Sequence, residues 1–178
     1  TALLDDLLGP LAHAAVADGV ASGRGGRGVV YAWAAGNGLT GADDVNYDGT
    51  ANSRHVIAVA AVNHNGVQTW YSEPGAAILV CAPGGDLAAD GGILATDLTG
   101  TNGSDPGDYA FMEGTSFATP IVSGVAALML AANPDLSYRD VMHILVFTAV
   151  QNDPADAGWT FNGAGVPSSH KYGHGLVN

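Results

Sequence analysis

The segment from residue 117 to residue 132 limits most tightly how this chain can fold, because it contains no charged residue and is apolar nearly all round. Such a segment is typical of a helix buried in a protein core. Residues 109–112 predict a short strand before it, and Gly114 predicts a sharp turn between the two. Ser116 is therefore expected at the helix N-terminus, where free backbone N–H groups favour developing negative charge. The alternative is that Thr115 or Ser116 only caps the helix.

The composition indicates one acidic globular domain. A length of 178 residues is enough for a core of its own. The formal net charge of -12 argues against nucleic acids and anionic membranes as partners, because both attract basic surfaces. Cations or basic peptides suit this charge, although a solvated acidic surface explains it equally well. The apolar run at 117–132 is too short to cross a bilayer, so we expect no membrane-spanning segment.

The rest of the chain alternates helix and strand signals. Pro10 and Gly23 are start and stop signals for a first helix. The continuous apolar run at 29–34 predicts a strand covered on both faces. The other predicted strands are 56–62 and 78–81. Ser137 and Asp140 form a capping-box pattern that opens a last helix.

Cys81 is the single cysteine, so an internal disulfide is excluded. Its apolar neighbours predict a buried residue at the end of a strand. The alternative is a catalytic thiol.

Two motifs carry a resemblance to a known family. The string Gly-Thr-Ser-Phe-Ala-Thr-Pro at 114–120 closely resembles the nucleophile signature of subtilisin-like serine proteases, and Ala-Ala-Gly-Asn at 34–37 resembles their oxyanion-hole segment. The resemblance implies that Ser116 is the nucleophile. It also implies that the Asn37 side chain donates to the carbonyl oxygen of the bond being cut, which becomes negative only in the tetrahedral state. An ordinary Asn-Gly turn is the alternative for Asn37.

The resemblance implies a fold and a set of substrate contacts. The expected fold is α/β, with three layers, a mostly parallel sheet and a central helix after the nucleophile. The residues implied to contact substrate, apart from the acidic pocket residue described below, are Ala34, Ala35, Gly36 and Thr115.

Further segments narrow the resemblance to the kexin and furin-like proprotein convertases. Most of the chain takes part, while residues 78–86 resemble general subtilisin-like sequence, so a bacterial kexin-like protein is the better match. The segments that carry this narrower resemblance are 23–28, 47–49, 70–73, 95–98, 133–140 and 169–173.

The kexin-like branch uses acidic residues to select a basic side chain before the cut and to hold calcium. By position after Asn37, Asp48 matches the pocket carboxylate, and Asp43 and Glu73 match the calcium ligands. Carboxylate oxygens suit calcium, and a planar carboxylate pairs well with arginine. The alternative is that these three acids are simply solvated loop residues.

Catalysis by a serine needs a base and a group that orients the base. In this family the order along the chain is Asp, His, Ser, and none of the six histidines lies in the family's histidine motif. We therefore expect residues 1–178 to be the C-terminal half of a catalytic domain, inactive alone and partnered by the N-terminal half.

The resemblance thus implies a secreted or cell-envelope serine endopeptidase that cuts peptides and proteins after Arg or Lys. The alternative is a non-catalytic binding or structural module with the same fold. An Asp and a His in their family motifs in the preceding residues of the gene would favour the enzyme.

Overall fold

The computed structural model describes residues 9–89 and 91–178. Its helices are α1 (Gly9–Gly26), α2 (Thr115–Ala132) and α3 (Tyr138–Thr148). Its strands are β1 (Tyr31–Ala34), β2 (Val56–Val62), β3 (Ile78–Pro83), β4 (Ile93–Thr96), β5 (Tyr109–Met112), β6 (Thr160–Phe161) and β7 (Pro167–Ser168).

The main sheet is parallel and has the strand order β1-β2-β3. Two antiparallel pairs, β4 with β5 and β6 with β7, lie outside it. Helix α2 packs against all three parallel strands, and α3 packs against β3. The α/β fold with a mostly parallel sheet, expected from the sequence, is confirmed.

The central strand, β2, is buried along its whole length. Alternate residues of a strand point to opposite faces, so Ile57, Val59 and Ala61 pack in the cluster that contains α2 and α3. Ala58 and Ala60 pack in the second cluster, on the opposite face of the sheet. An apolar residue at every position is therefore required, as a strand covered on both faces demands.

Helix α2 is buried on one side only. Ala118, Val122 and Ala126 face the sheet and are buried, whereas Leu128 on the other side is 73% exposed. The expectation of a helix buried all round therefore holds for one face. With 18 residues, α2 is long and apolar enough to cross a membrane, but its packing on the sheet is that of a core helix.

Most predicted element ends are confirmed. The backbone leaves helical geometry at Gly23 within α1, and Ser137 and Asp140 form the capping box of α3. Strand β4 was not predicted, and only an isolated bridge between Val62 and Gln68 follows the expected hairpin turn. Cys81 is fully buried in β3, and burial raises the pKa of its thiol to about 12. A catalytic thiol at Cys81 is therefore wrong, because the reactive thiolate does not form near neutral pH.

Candidate active site

The candidate site lies where the carboxyl ends of β1 and β3 meet the N-terminus of α2. Gly114 precedes the helix with φ of 144°, a conformation that L side chains rarely adopt, and no side chain caps the helix. Ser116 is the second residue of α2 and is exposed. The alternative that Thr115 or Ser116 only caps the helix is therefore not realised.

Asn37 is held by Thr115 at the end of β1. The backbone N–H and the hydroxyl of Thr115 both donate to Asn37 Oδ1, each at 2.9 Å. Gly36 N donates to the same hydroxyl at 3.3 Å. Because Oδ1 already accepts two hydrogen bonds, the Asn37 amide is fixed with its N–H₂ group as the remaining donor. Asn37 is exposed, so this donor is available beside Ser116.

Two residues expected to contact substrate are buried, which corrects the role of their side chains. Thr115 is 0% exposed and spends its hydroxyl on Asn37 and Gly36. Ala35 packs in the second core cluster. Their side chains position the site from beneath. Ala34 and Gly36 are partly exposed at the same strand end.

Tyr71 is a positioning residue that no sequence pattern indicated. Its buried hydroxyl lies 2.8 Å from Gly84 O and 2.7 Å from Gly85 O, and it accepts a bond from Gly114 N at 2.9 Å. Burial raises the pKa of this phenol, which stays protonated and can donate. Tyr71 therefore joins the loop after β3 to the turn that precedes Ser116.

The predicted acidic residues lie on the other side of the Gly36–Gly38 backbone. Glu73 is buried and accepts from Gly38 N at 2.8 Å, and a methyl group on Gly36 would overlap its carboxylate. Asp43 Oδ2 and Glu73 Oε1 would both contact a methyl group built on Gly38. The two carboxylates therefore meet under one glycine.

Asp48 is tied to its own loop. Its Oδ1 accepts from Thr50 N at 2.7 Å and from Ala51 N at 2.8 Å. Among the described residues, no partner hydrogen bonds to Oδ2, so one oxygen remains for a ligand. Asp48 lies close enough to Glu73 to raise its pKa.

The acidic group can accommodate a divalent cation. Burial raises the pKa of Glu73 most, and Asp43, Asp48 and Asp44 raise it further, although the Gly38 N–H bond lowers it. Within residues 9–89 and 91–178, no three His, Cys, Asp or Glu side chains gather around a metal position. Asp43 and Glu73 therefore form a pair of hard oxygen donors, to which calcium would add backbone and water oxygens.

The model of the subtilase family matches residues 6–175. This chain belongs to the subtilase family. It is 41% identical over 169 residues to proprotein convertase subtilisin/kexin type 7 of Mus musculus, an alignment that covers 94% of this chain and 22% of that protein. It is 35% identical to furin-like protease 2 of Drosophila melanogaster, with 96% and 10% covered. The kexin and furin-like branch is thereby confirmed.

Solved structures agree with the fold of this subtilase. A serine protease of Aeromonas sobria superposes with a TM-score of 0.85 and 26% identity, covering 98% of this chain and 39% of that one. The subtilase chain spans about a fifth or less of the length of the two convertase relatives named above. In the described part of the chain, Ser116 Oγ makes no hydrogen bond, and in particular none to a histidine.

Proposed function

We propose that this subtilase chain supplies the nucleophile and the oxyanion donor of a serine endopeptidase. The observation that carries the proposal is the pair of hydrogen bonds from Thr115 that fixes the Asn37 amide beside the exposed Ser116. Ser116 Oγ forms a bond to the carbonyl carbon of the peptide, and the carbonyl electron pair moves onto oxygen. The Asn37 amide and the N-terminus of α2 stabilise that charge.

The base that takes the Ser116 proton comes, in this proposal, from the N-terminal half of the same domain, together with the acid that orients it. The open side of α2 supports this arrangement. Between α2 and the edge strand β1 lies an apolar groove of about 250 Å³. Its lining includes Val29, Ala32, Val122 and Leu130. The isolated chain is therefore expected to be inactive.

Substrate selection and calcium form the second part of the proposal. The free oxygen of Asp48 binds an arginine or lysine side chain before the cut, with Ala34 and Gly36 alongside. Asp43 and Glu73 hold a calcium ion, which neutralises the buried charge and keeps the Gly36–Gly38 backbone in place. The convertase relatives support a secreted or cell-envelope location.

Peptide cleavage by the full-length gene product tests this function. Wild type should cut a peptide after its single arginine, and Ser116→Ala should reduce the rate to the uncatalysed level or within about 10³- to 10⁴-fold of it. An unaltered rate in Ser116→Ala would reject Ser116 as the nucleophile. Binding of the peptide by wild type without any cleavage would instead indicate a non-catalytic module.

A further inference from the structure

A recess of about 210 Å³ opens next to Asn37, and the proposed reaction does not use it. Its lining is Asn37, Trp70, Tyr71, Glu113 and Gly114. This volume is below the roughly 300 to 1,000 Å³ of pockets for drug-sized ligands, so the recess suits one amino-acid side chain. Because it borders the oxyanion donor, that side chain belongs to a residue near the bond being cut.

The recess combines an aromatic face with a carboxylate. Trp70 is 48% exposed, and Glu113 is partly exposed. Glu113 Oε2 accepts from Leu87 N at 2.7 Å, which fixes the carboxylate. Across the residues that the structure describes, no Lys, Arg or His lines the recess. A cation over an indole and beside a carboxylate is attracted by both groups.

The walls of the recess are held in place before any ligand arrives. The ring of Trp70 meets that of Tyr71 edge to face, with centroids 5.5 Å apart and planes at 89°. Tyr71 is itself fixed by its bonds to the loop after β3 and to Gly114. A rigid receptor loses less conformational entropy on binding than a flexible one.

We propose that this recess binds a second basic side chain of the substrate, from a residue within two positions of the cut. The inference rests on the proposed endopeptidase function and extends it. None of Ala34, Gly36 and Asp48 lines the recess, so it accepts a different side chain from the one before the cut. Trp70 provides the apolar face and Glu113 the countercharge.

Paired peptides test the recess in the full-length gene product. All peptides have Arg before the cut, and each pair has Arg or Ala at one neighbouring position. At one position, Glu113→Gln should lower the ratio of kcat/KM for the Arg peptide to that for the Ala peptide by about 10-fold, and Trp70→Ala should lower it too. Asp108→Asn removes an exposed charge outside the recess and should preserve the ratio.

A binding measurement separates failure of this inference from failure of the proposed function. In the Ser116→Ala protein, the indole N–H resonance of Trp70, assigned with Trp70→Phe, is followed during titration with each pair. The second Arg should shift this resonance and tighten Kd about 10-fold relative to Ala. Cleavage with unchanged ratios and equal Kd values would overturn the recess alone. If no peptide is cleaved, a Trp70 shift specific to Arg upholds the recess, and its absence overturns it.

Discussion

At the residue scale, the site depends on side chains that hold other side chains. Thr115 and Asn37 are 78 residues apart, and Tyr71 and Gly114 are 43 apart. Local sequence patterns indicated Ser116 and Asn37 as candidates through their motifs. They could not indicate that Thr115 is buried or that Tyr71 takes part, because both facts depend on contacts that form only when distant segments meet.

Replacing Asn37 by Leu in the full-length gene product should lower kcat by about 10²- to 10³-fold, the effect observed for an oxyanion-hole asparagine of a subtilisin. KM should change little, because the oxyanion exists only in the tetrahedral state. Steady-state kinetics on one peptide measures both constants. An unaltered kcat would remove Asn37 from the oxyanion hole.

Asp48→Asn should weaken selection of arginine before the cut. The asparagine keeps an oxygen for Thr50 N and Ala51 N, so the loop is preserved while the charge is lost. The ratio of kcat/KM for an Arg substrate to that for a Leu substrate should fall about 30-fold or more. Equal losses on both substrates would show that Asp48 is structural.

Glu73→Gln should remove the response of stability to calcium. The pKa of Glu73 is raised above its ordinary 4.5, so without calcium the folded protein loses stability as pH rises from that value through the folded pKa. At pH 7 with a chelator, Glu73→Gln should therefore melt no lower than wild type. Calcium should raise the Tm of wild type, by about 2.7 kcal/mol of stability at about 100 times Kd, and leave the variant unchanged.

The control for this experiment is Asp108→Asn, which should respond to calcium as wild type does. Equal shifts of Tm in wild type and Glu73→Gln would place the calcium elsewhere.

At the scale of elements, strong local patterns predicted most of the fold. β2 is apolar at every position and α3 has a complete capping box, so both follow from sequence. β4 is only four residues long and exists by pairing with β5, a contact that its own residues do not specify. The open face of α2 was also missed, because an apolar sequence does not show what covers it.

The two sides of the helical layer should respond differently to the same substitution. Leu145 of α3 is 1% exposed in the main core, whereas Leu128 of α2 is largely exposed. In urea unfolding of the isolated chain, Leu145→Ala should cost about 2 to 5 kcal/mol, and Leu128→Ala about 0.5 kcal/mol or less. Similar costs for both would mean that α2 is covered in solution.

At the scale of the whole molecule, the chain presents a positioned serine without a base and an apolar helix face without a cover. Both features lie on α2, so one additional segment packed against this helix could supply both. The net charge of -12 favours basic peptides as substrates throughout. The account therefore makes the activity of Ser116 depend on the rest of the catalytic domain.

Labelling with a serine-directed phosphonate tests this claim most directly. The full-length gene product and the isolated 178-residue chain are treated in parallel, and the modified peptide is located by mass spectrometry. The account predicts rapid modification of Ser116 in the full-length product, none in its Ser116→Ala variant, and none in the isolated chain. Rapid modification of Ser116 in the isolated chain, or of another residue in the full-length product, would contradict it.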